Sequence, residues 1–189
     1  MNGKRLSVAA VTALLTLLWM TDGVRTRAQS NDEEYRIKAA FIFHFAQLVD
    51  WPENALQASS NAFYLCTFGT DPFRGALEST VAGKAIGGRV IQVRHLRQAG
   101  DVPGCQVLFL GQAEDKQIPG LLADMHNAPI LTVGETPGFL GAGGMICFVL
   151  EQNNVRFQIN LTAAEAAKLK IGSRLLLLAQ TVIGESRAK

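Results

Sequence analysis

Residues 107–110 read Val-Leu-Phe-Leu, a short and wholly apolar run. Such a run is typical of a β-strand that is covered on both faces, as the strands of a parallel sheet are. Two further apolar runs lie at residues 63–68 and 130–133, and residues 89–93 alternate apolar and polar side chains. These four segments are predicted to be strands of one central sheet.

Helices are predicted between these strands. Asp71-Pro72 has the form of an N-cap followed by the first helical position, and the residues after it predict a helix that runs through Val81. A second short helix is predicted over residues 116–125. Strands and helices that alternate in this way favour a parallel sheet with helices on both faces.

Different patterns lie at the two ends of the chain. Ser30-Asn31-Asp32-Glu33 has the form of a capping box and predicts a helix that continues to Asp50. Residues 145–150 and 155–159 predict an antiparallel hairpin, and residues 162–182 predict helix with a break at Gly172-Ser173. The predicted fold is therefore an α/β three-layer sandwich with a mostly parallel central sheet and an antiparallel edge hairpin.

The first 28 residues have the features of a secretory signal peptide. Lys4 and Arg5 precede an apolar stretch that ends at Met20, and Thr26-Arg27-Ala28 offers small residues at the −3 and −1 positions of a cleavage site. An uncleaved membrane anchor is the alternative, but the stretch is shorter than the ~20 residues that span a bilayer. We predict a leader over residues 1–28, a single domain over residues 29–189, and a periplasmic location.

The positive charge of the chain belongs to this leader. It carries four of the 18 basic residues and one of the 16 acidic residues, so the net charge changes from +2 to about −1 on its removal. Arg89, Arg94 and Arg97 are scattered around one predicted strand and have no aromatic stacking partners nearby. Nucleic-acid binding is therefore not expected.

The three cysteines lie in predicted strands or beside them. Cys66 and Cys105 belong to two apolar runs of one sheet, so a bridge between them is feasible; it would stabilise the fold by about 4 kcal/mol on the chain-entropy estimate. Cys147 lies in a core-like run, where a free thiol behaves as a small hydrophobe. We expect the pair Cys66 with Cys105 and a buried, reduced Cys147, while a bridge between two molecules remains an alternative.

The sequence contains few side chains in an arrangement that would support catalysis. His44, His95 and His126 stand apart from one another, without the spacing of a metal site. The glycine-rich segment 134–144 leads into a strand, whereas a phosphate-binding loop leads into a helix. We therefore expect no catalytic residue, no metal and no cofactor.

The first helix has more aromatic residues than one buried stripe requires. Phe41 and Phe45 share a face, and Phe43 lies off that face. Core packing accounts for most of these rings, and an exposed apolar patch for a partner or a second copy is the alternative.

The segment Tyr35–Pro52, with the sequence Tyr-Arg-Ile-Lys-Ala-Ala-Phe-Ile-Phe-His-Phe-Ala-Gln-Leu-Val-Asp-Trp-Pro, resembles the opening signature of the YfiR-like family of exported bacterial proteins. Other segments agree with the family in order and spacing, namely Gly83-Lys84 with residues 91–93, and residues 105–111, 130–133, 143–160 and 163–179. The resemblance covers nearly all of the chain that follows the leader.

This resemblance implies a periplasmic repressor that binds the periplasmic sensory domain of an inner-membrane diguanylate cyclase of the YfiN type. Such a repressor lowers cyclic di-GMP synthesis and so opposes biofilm formation. The resemblance also implies a homodimer and a disulfide-dependent fold, with Cys66 and Cys105 as the matching pair. Cys147 has no second cysteine nearby, so redox sensing would depend on one bond.

Candidate contact residues for the cyclase come from the parts of the first helix and the hairpin that we expect to be exposed: Phe43, Trp51, Ile146, Phe157 and Gln158. The alternative function is a periplasmic small-ligand-binding protein or hydrolase that uses the loop 134–144 and Arg174, with an unidentified small ligand as its partner.

Overall fold

The computed structural model describes residues 22–57 and 62–184. Most of the predicted leader, residues 1–21, lies outside this part of the chain. Within the described residues no helix is both long enough and apolar enough to cross a membrane.

An eight-stranded sheet forms the centre of the molecule. Its strands are β2 (Ala62–Phe68), β3 (Ala85–Ile86), β4 (Arg89–Leu96), β5 (Val107–Leu110), β6 (Leu131–Gly134), β7 (Ile146–Glu151), β8 (Asn154–Asn160) and β10 (Thr181–Ile183), and their order across the sheet is β10-β8-β7-β6-β5-β2-β4-β3. Strands β4, β2, β5, β6 and β7 are mutually parallel. Strands β7 and β8 form the antiparallel hairpin, and a two-stranded antiparallel sheet joins β1 (Val49–Asp50) to β9 (Lys170–Ile171).

The helices are α1 (Asp22–Leu48), α2 (Glu53–Gln57), α3 (Ala76–Val81), α4 (Ile118–Asp124), α5 (Leu161–Ala166) and α6 (Ser173–Leu178), with 3-10 turns at Ala99–Asp101 and Gln112–Glu114. Two hydrophobic clusters lie against opposite faces of the sheet. Val107 and Phe109 of β5 belong to the cluster that contains the buried side chains of α1, and Leu108 and Leu110 belong to the cluster that contains those of α4. The predicted α/β three-layer sandwich is therefore confirmed, since a strand with both faces covered is apolar throughout.

The aromatic residues of α1 pack on the hairpin. The ring of Phe45 lies 4.8 Å from that of Phe157 and 5.6 Å from that of Phe148, and Phe41 lies 5.5 Å from Phe157. These contacts between α1 and the sheet explain why the first helix carries so many rings.

Three predicted boundaries are wrong. Helix α1 begins at Asp22, upstream of the predicted capping box at Ser30. Helix α3 begins at Ala76 because the Asp71 carboxylate accepts a hydrogen bond from the Phe73 N–H in a local turn. The last helix ends at Leu178 instead of continuing to residue 182, and the chain then forms β10 parallel to β8.

Candidate functional site

Glu135 follows directly after β6, at the carboxyl edge of the parallel strands, where α/β sheets place their ligand and regulatory sites. Its side chain is only 7% exposed. One carboxylate oxygen accepts hydrogen bonds from the Tyr35 hydroxyl at 3.0 Å and from the Gln112 N–H at 3.1 Å. The other oxygen accepts from the Lys38 ammonium at 2.5 Å. Glu135 thus connects α1 to two neighbouring strand ends.

Lys38 is the cation of this cluster, and its side chain is 5% exposed. It also pairs with Glu34, four residues earlier on α1, where helical spacing places the two side chains on one face. The ammonium lies 4.6 Å from the centre of the Tyr35 ring. A buried charge is stable only when it is paired and hydrogen-bonded, and Lys38 meets that condition with two carboxylates and an aromatic face.

The same environment raises the pKa values of two neighbouring acidic groups, the Tyr35 hydroxyl and the Cys147 thiol. Burial, followed by the charge of Glu135, raises the pKa of Tyr35 above its usual value, so its hydroxyl stays a hydrogen-bond donor. Burial, again followed by the charge of Glu135, raises the pKa of the Cys147 thiol from 9.0 to about 11. A thiol with so high a pKa is unreactive at neutral pH, because the thiolate is the nucleophile.

A cleft of about 620 Å³ opens beside this cluster. Glu34, Tyr35 and Lys38 line one side, and the segment from Glu135 to Gly141 lines another. The Thr136 hydroxyl is buried and has no hydrogen-bond partner among the described residues. An unpartnered buried hydroxyl is unusual, and Thr136 is one of the residues that line the cleft.

The glycine-rich loop shapes this cleft by packing. The Phe139 ring is 1% exposed and lies against Gly134 and Gly144, where an added Cβ would be 2.4 Å and 2.1 Å from its atoms. These two positions therefore require glycine for close approach. The loop holds an aromatic ring against the sheet.

The disulfide lies on the face of the sheet opposite α1, in the same hydrophobic cluster as Phe139. Cys66 of β2 and Cys105, two residues before β5, form a disulfide with Cα atoms 6.0 Å apart, and both residues are buried. Gln106, which is 1% exposed, accepts a hydrogen bond from the Tyr64 N–H at 2.7 Å and donates to the Ala55 carbonyl at 2.8 Å. The disulfide and this amide together fix the start of β5. Cys147 is a free, buried thiol.

The model of the YfiR/HmsC-like family matches residues 35–180, about three quarters of the chain. The chain belongs to this family. The match begins at Tyr35 and includes Lys38, Glu135 and all three cysteines. The family is one of regulators rather than enzymes, and it points to periplasmic control of a diguanylate cyclase.

Two solved structures resemble part of the chain. One is a conserved domain protein from Vibrio cholerae O1 biovar eltor str. N16961, with 13% identity and a TM-score of 0.48. The other is the ABC domain in complex with L-Trp from Streptococcus pneumonia, with 10% identity and a TM-score of 0.48. Each match covers 69% of this chain and 58% of the other chain, so the chain spans less than two thirds of either structure.

The residues predicted to contact a partner do not share one surface. Ile146 and Phe157 are 0% and 2% exposed, and Phe43 is 8% exposed beneath the Lys84 ammonium. The exposure expected for these three residues is therefore wrong, because they form the core between α1 and the sheet. Trp51 and Gln158 remain half-buried.

The cluster around Glu135 was not predicted from the sequence. Tyr35 and Lys38 stand inside the family signature, but Glu135 lies 97 residues after Lys38. A signal was present in the acidic residue that directly follows a buried strand, since that position lies at the carboxyl edge of a parallel sheet. Arg174, predicted for the alternative ligand site, is exposed on α6 and is not among the residues that line the cleft.

Proposed function

We propose that this chain is a periplasmic negative regulator that binds the sensory domain of an inner-membrane diguanylate cyclase of the YfiN type and lowers cyclic di-GMP synthesis. Membership of the YfiR/HmsC-like family over residues 35–180 carries this proposal. We further propose that residues 1–28 are the export leader and that residues 29–189 form a single domain that acts as a homodimer.

The exposed apolar surface at the end of the chain supports a role in binding. Leu177 is 85% exposed and Leu178 is 65% exposed, and Val182 and Ile183 of β10 are 40% and 48% exposed. These four are among the seven large apolar side chains that are exposed within the described residues. A concentration of this kind is typical of a surface that is covered by a protein partner.

The disulfide gives the proposed regulator a redox input. Cys66 and Cys105 close a loop over a sequence separation of 39 residues, and this constraint stabilises the fold by about 4 kcal/mol on the chain-entropy estimate. Lowering the active fraction of the cyclase from 99% to 1% requires a differential binding free energy of about 5.5 kcal/mol. A change in redox state that removes most of the folded regulator would therefore release the cyclase.

The decisive experiment measures cyclic di-GMP in cells that contain a matching cyclase and lack this gene. Re-expression of the wild-type chain should lower the cyclic di-GMP level, and the variant Leu177→Asp/Leu178→Asp should fail to lower it at equal periplasmic abundance. The matched control is Val90→Asp, because Val90 is 55% exposed on β4, near the opposite edge of the sheet. An unchanged level on deletion would reject the regulatory function, and equal repression by both variants would reject the proposed surface.

The redox part has its own test. The variant Cys66→Ser/Cys105→Ser should raise cyclic di-GMP together with a loss of folded protein, whereas Cys147→Ser should leave both unchanged. Full repression by the double variant at normal abundance would overturn the redox input alone.

The cleft beside Glu135 favours a second candidate function, the binding of a small ligand. The unpartnered Thr136 hydroxyl is the observation that supports it. A ligand-dependent rise in melting temperature without any membrane partner, lost in Thr136→Val, would support ligand binding. No rise across a library of periplasmic metabolites would reject it.

A further inference from the structure

Three metal-ligating side chains converge at a different corner of the sheet. Asp71 lies in the turn after β2, Glu78 lies on α3, and His95 lies on β4. One ligand atom from each residue lies within 4.8 Å of the other two. Strands β2 and β4 are parallel, with Thr67 opposite His95, so both strands end at this corner.

The His95 ring is held at both nitrogens. Its Nδ1 is 2.8 Å from the hydroxyl of Thr67, a residue with 0% exposure, and its Nε2 is 2.7 Å from Glu78 Oε1. In the tautomer whose Nδ1–H group donates a hydrogen bond to the Thr67 hydroxyl, Nε2 presents its lone pair toward the carboxylates. Metal-ligating histidines are oriented by a hydrogen bond of this kind at the nitrogen that does not bind the metal.

A second observation concerns the other carboxylate oxygen of Glu78. Glu78 Oε2 is shielded from water and has no hydrogen-bond partner among the described residues. A shielded carboxylate oxygen without a donor is costly, and a bound cation removes that cost. The Glu78 and His95 side chains are otherwise 41% and 45% exposed, which leaves an approach open from solvent.

We propose that Asp71, Glu78 and His95 bind a divalent transition-metal ion, with Zn²⁺ as the best match. One imidazole nitrogen and two carboxylate oxygens suit zinc, whereas Mg²⁺ and Ca²⁺ prefer oxygen alone. A tetrahedral zinc ion with bonds of about 2.1 Å holds its ligand atoms about 3.4 Å apart, so ligand atoms as far apart as 4.8 Å must approach one another by about 1.4 Å through rotation of the carboxylate side chains. Water completes the fourth position. No metal site was predicted from the sequence, because these three residues are far apart in the chain.

The test uses the chain purified from the periplasm and freed of metal with a chelator. Calorimetric titration with ZnCl₂ should give one zinc ion per chain, and zinc at about a hundredfold above its Kd should raise the melting temperature by several degrees. His95→Asn and Glu78→Gln should each weaken zinc binding at least tenfold. The matched control is His126→Asn, which removes an exposed histidine in the turn after α4 and should leave binding unchanged.

Cobalt(II) supplies an independent readout, because its visible absorption changes when an imidazole nitrogen becomes a ligand. Wild type and His126→Asn should show this change, and His95→Asn should lose it. Absence of zinc binding to the wild type, or equal affinity in all three variants, would overturn the site. Neither result bears on the regulatory function, which is measured by cyclic di-GMP.

Discussion

Replacement of Lys38 by Met should destabilise the protein strongly, because it leaves the buried carboxylate of Glu135 without its cation. Lys38 and Glu135 side chains are 5% and 7% exposed, and breaking a buried ion pair by removing one partner costs about 3–5 kcal/mol. Glu135 keeps its hydrogen bonds from Tyr35 and Gln112. We therefore expect the free energy of unfolding to fall by the low end of this range, about 3 kcal/mol.

Urea unfolding, followed by circular dichroism, measures this loss directly. A loss of about 3 kcal/mol in a chain of this size lowers the melting temperature by about 6–12 °C. The matched control is Lys116→Met, which removes an exposed lysine and should change the free energy of unfolding by less than about 0.5 kcal/mol.

The double variant Lys38→Met/Glu135→Gln separates charge from packing. It carries the same methionine, but the buried carboxylate of Glu135 is gone and only the more exposed Glu34 has lost its cation, so the double variant should be more stable than Lys38→Met alone. A double-mutant cycle should therefore give a coupling energy above about 1 kcal/mol. A loss of less than 1 kcal/mol for Lys38→Met, or simple additivity in the cycle, would refute the reasoning.

Three further predictions concern the loop, the buried amide and the free thiol. Gly144→Ala should lower the free energy of unfolding by about 1–3 kcal/mol, because the new Cβ would lie 2.1 Å from the Phe139 ring. The control Gly120→Ala should not destabilise the chain, since nothing lies within 4 Å of its new Cβ. Equal stabilities of the two variants would contradict the prediction. Gln106→Leu should cost about 3 kcal/mol in urea unfolding by leaving buried backbone groups unpaired, and a loss below 1 kcal/mol would show that water replaces the amide. The Cys147 thiol, whose pKa is raised from 9.0 to about 11, should resist iodoacetamide in the folded chain at pH 8 and react in urea. As the pH rises, the thiol loses its proton in the unfolded chain before it does so in the folded chain. The stability conferred by the neutral thiol is therefore present below about pH 9 and falls as the pH rises toward 11. A rise of stability over that interval would contradict the raised pKa of Cys147.

The central strands could be predicted because their signal is local. The run at 107–110 matches β5, and the runs at 63–68 and 130–133 match β2 and β6 to within one residue. A strand covered on both faces must be apolar throughout, so a short apolar run in the sequence indicates a buried strand. The pairing of Cys66 with Cys105 was expected on the same reasoning, since Cys66 lies on β2 and Cys105 lies two residues before the neighbouring strand β5.

The end of the chain could not be predicted in this way. Leu175 to Leu178 form an apolar run that favours a longer helix, and the three residues of β10 are all exposed. Their strand depends on pairing with β8, and the Gln180 N–H donates to the Phe157 carbonyl, 23 positions earlier in the chain. The sequence of a short edge strand does not indicate which strand it will pair with, so contacts elsewhere in the fold decide whether the strand forms.

The disulfide and the apolar surface at β10 are too far apart for direct communication. Cys66 lies on β2, and strands β5, β6, β7 and β8 separate it from β10. We therefore expect reduction to act through the stability of the whole fold and not through a direct contact with that surface. A loss of about 4 kcal/mol is a large part of the 5–15 kcal/mol that a domain of this size has. Under the proposed function, reduction should therefore raise the unfolded fraction most in a chain near the low end of that range, where about 1 kcal/mol remains, while each folded molecule keeps the same affinity for its partner.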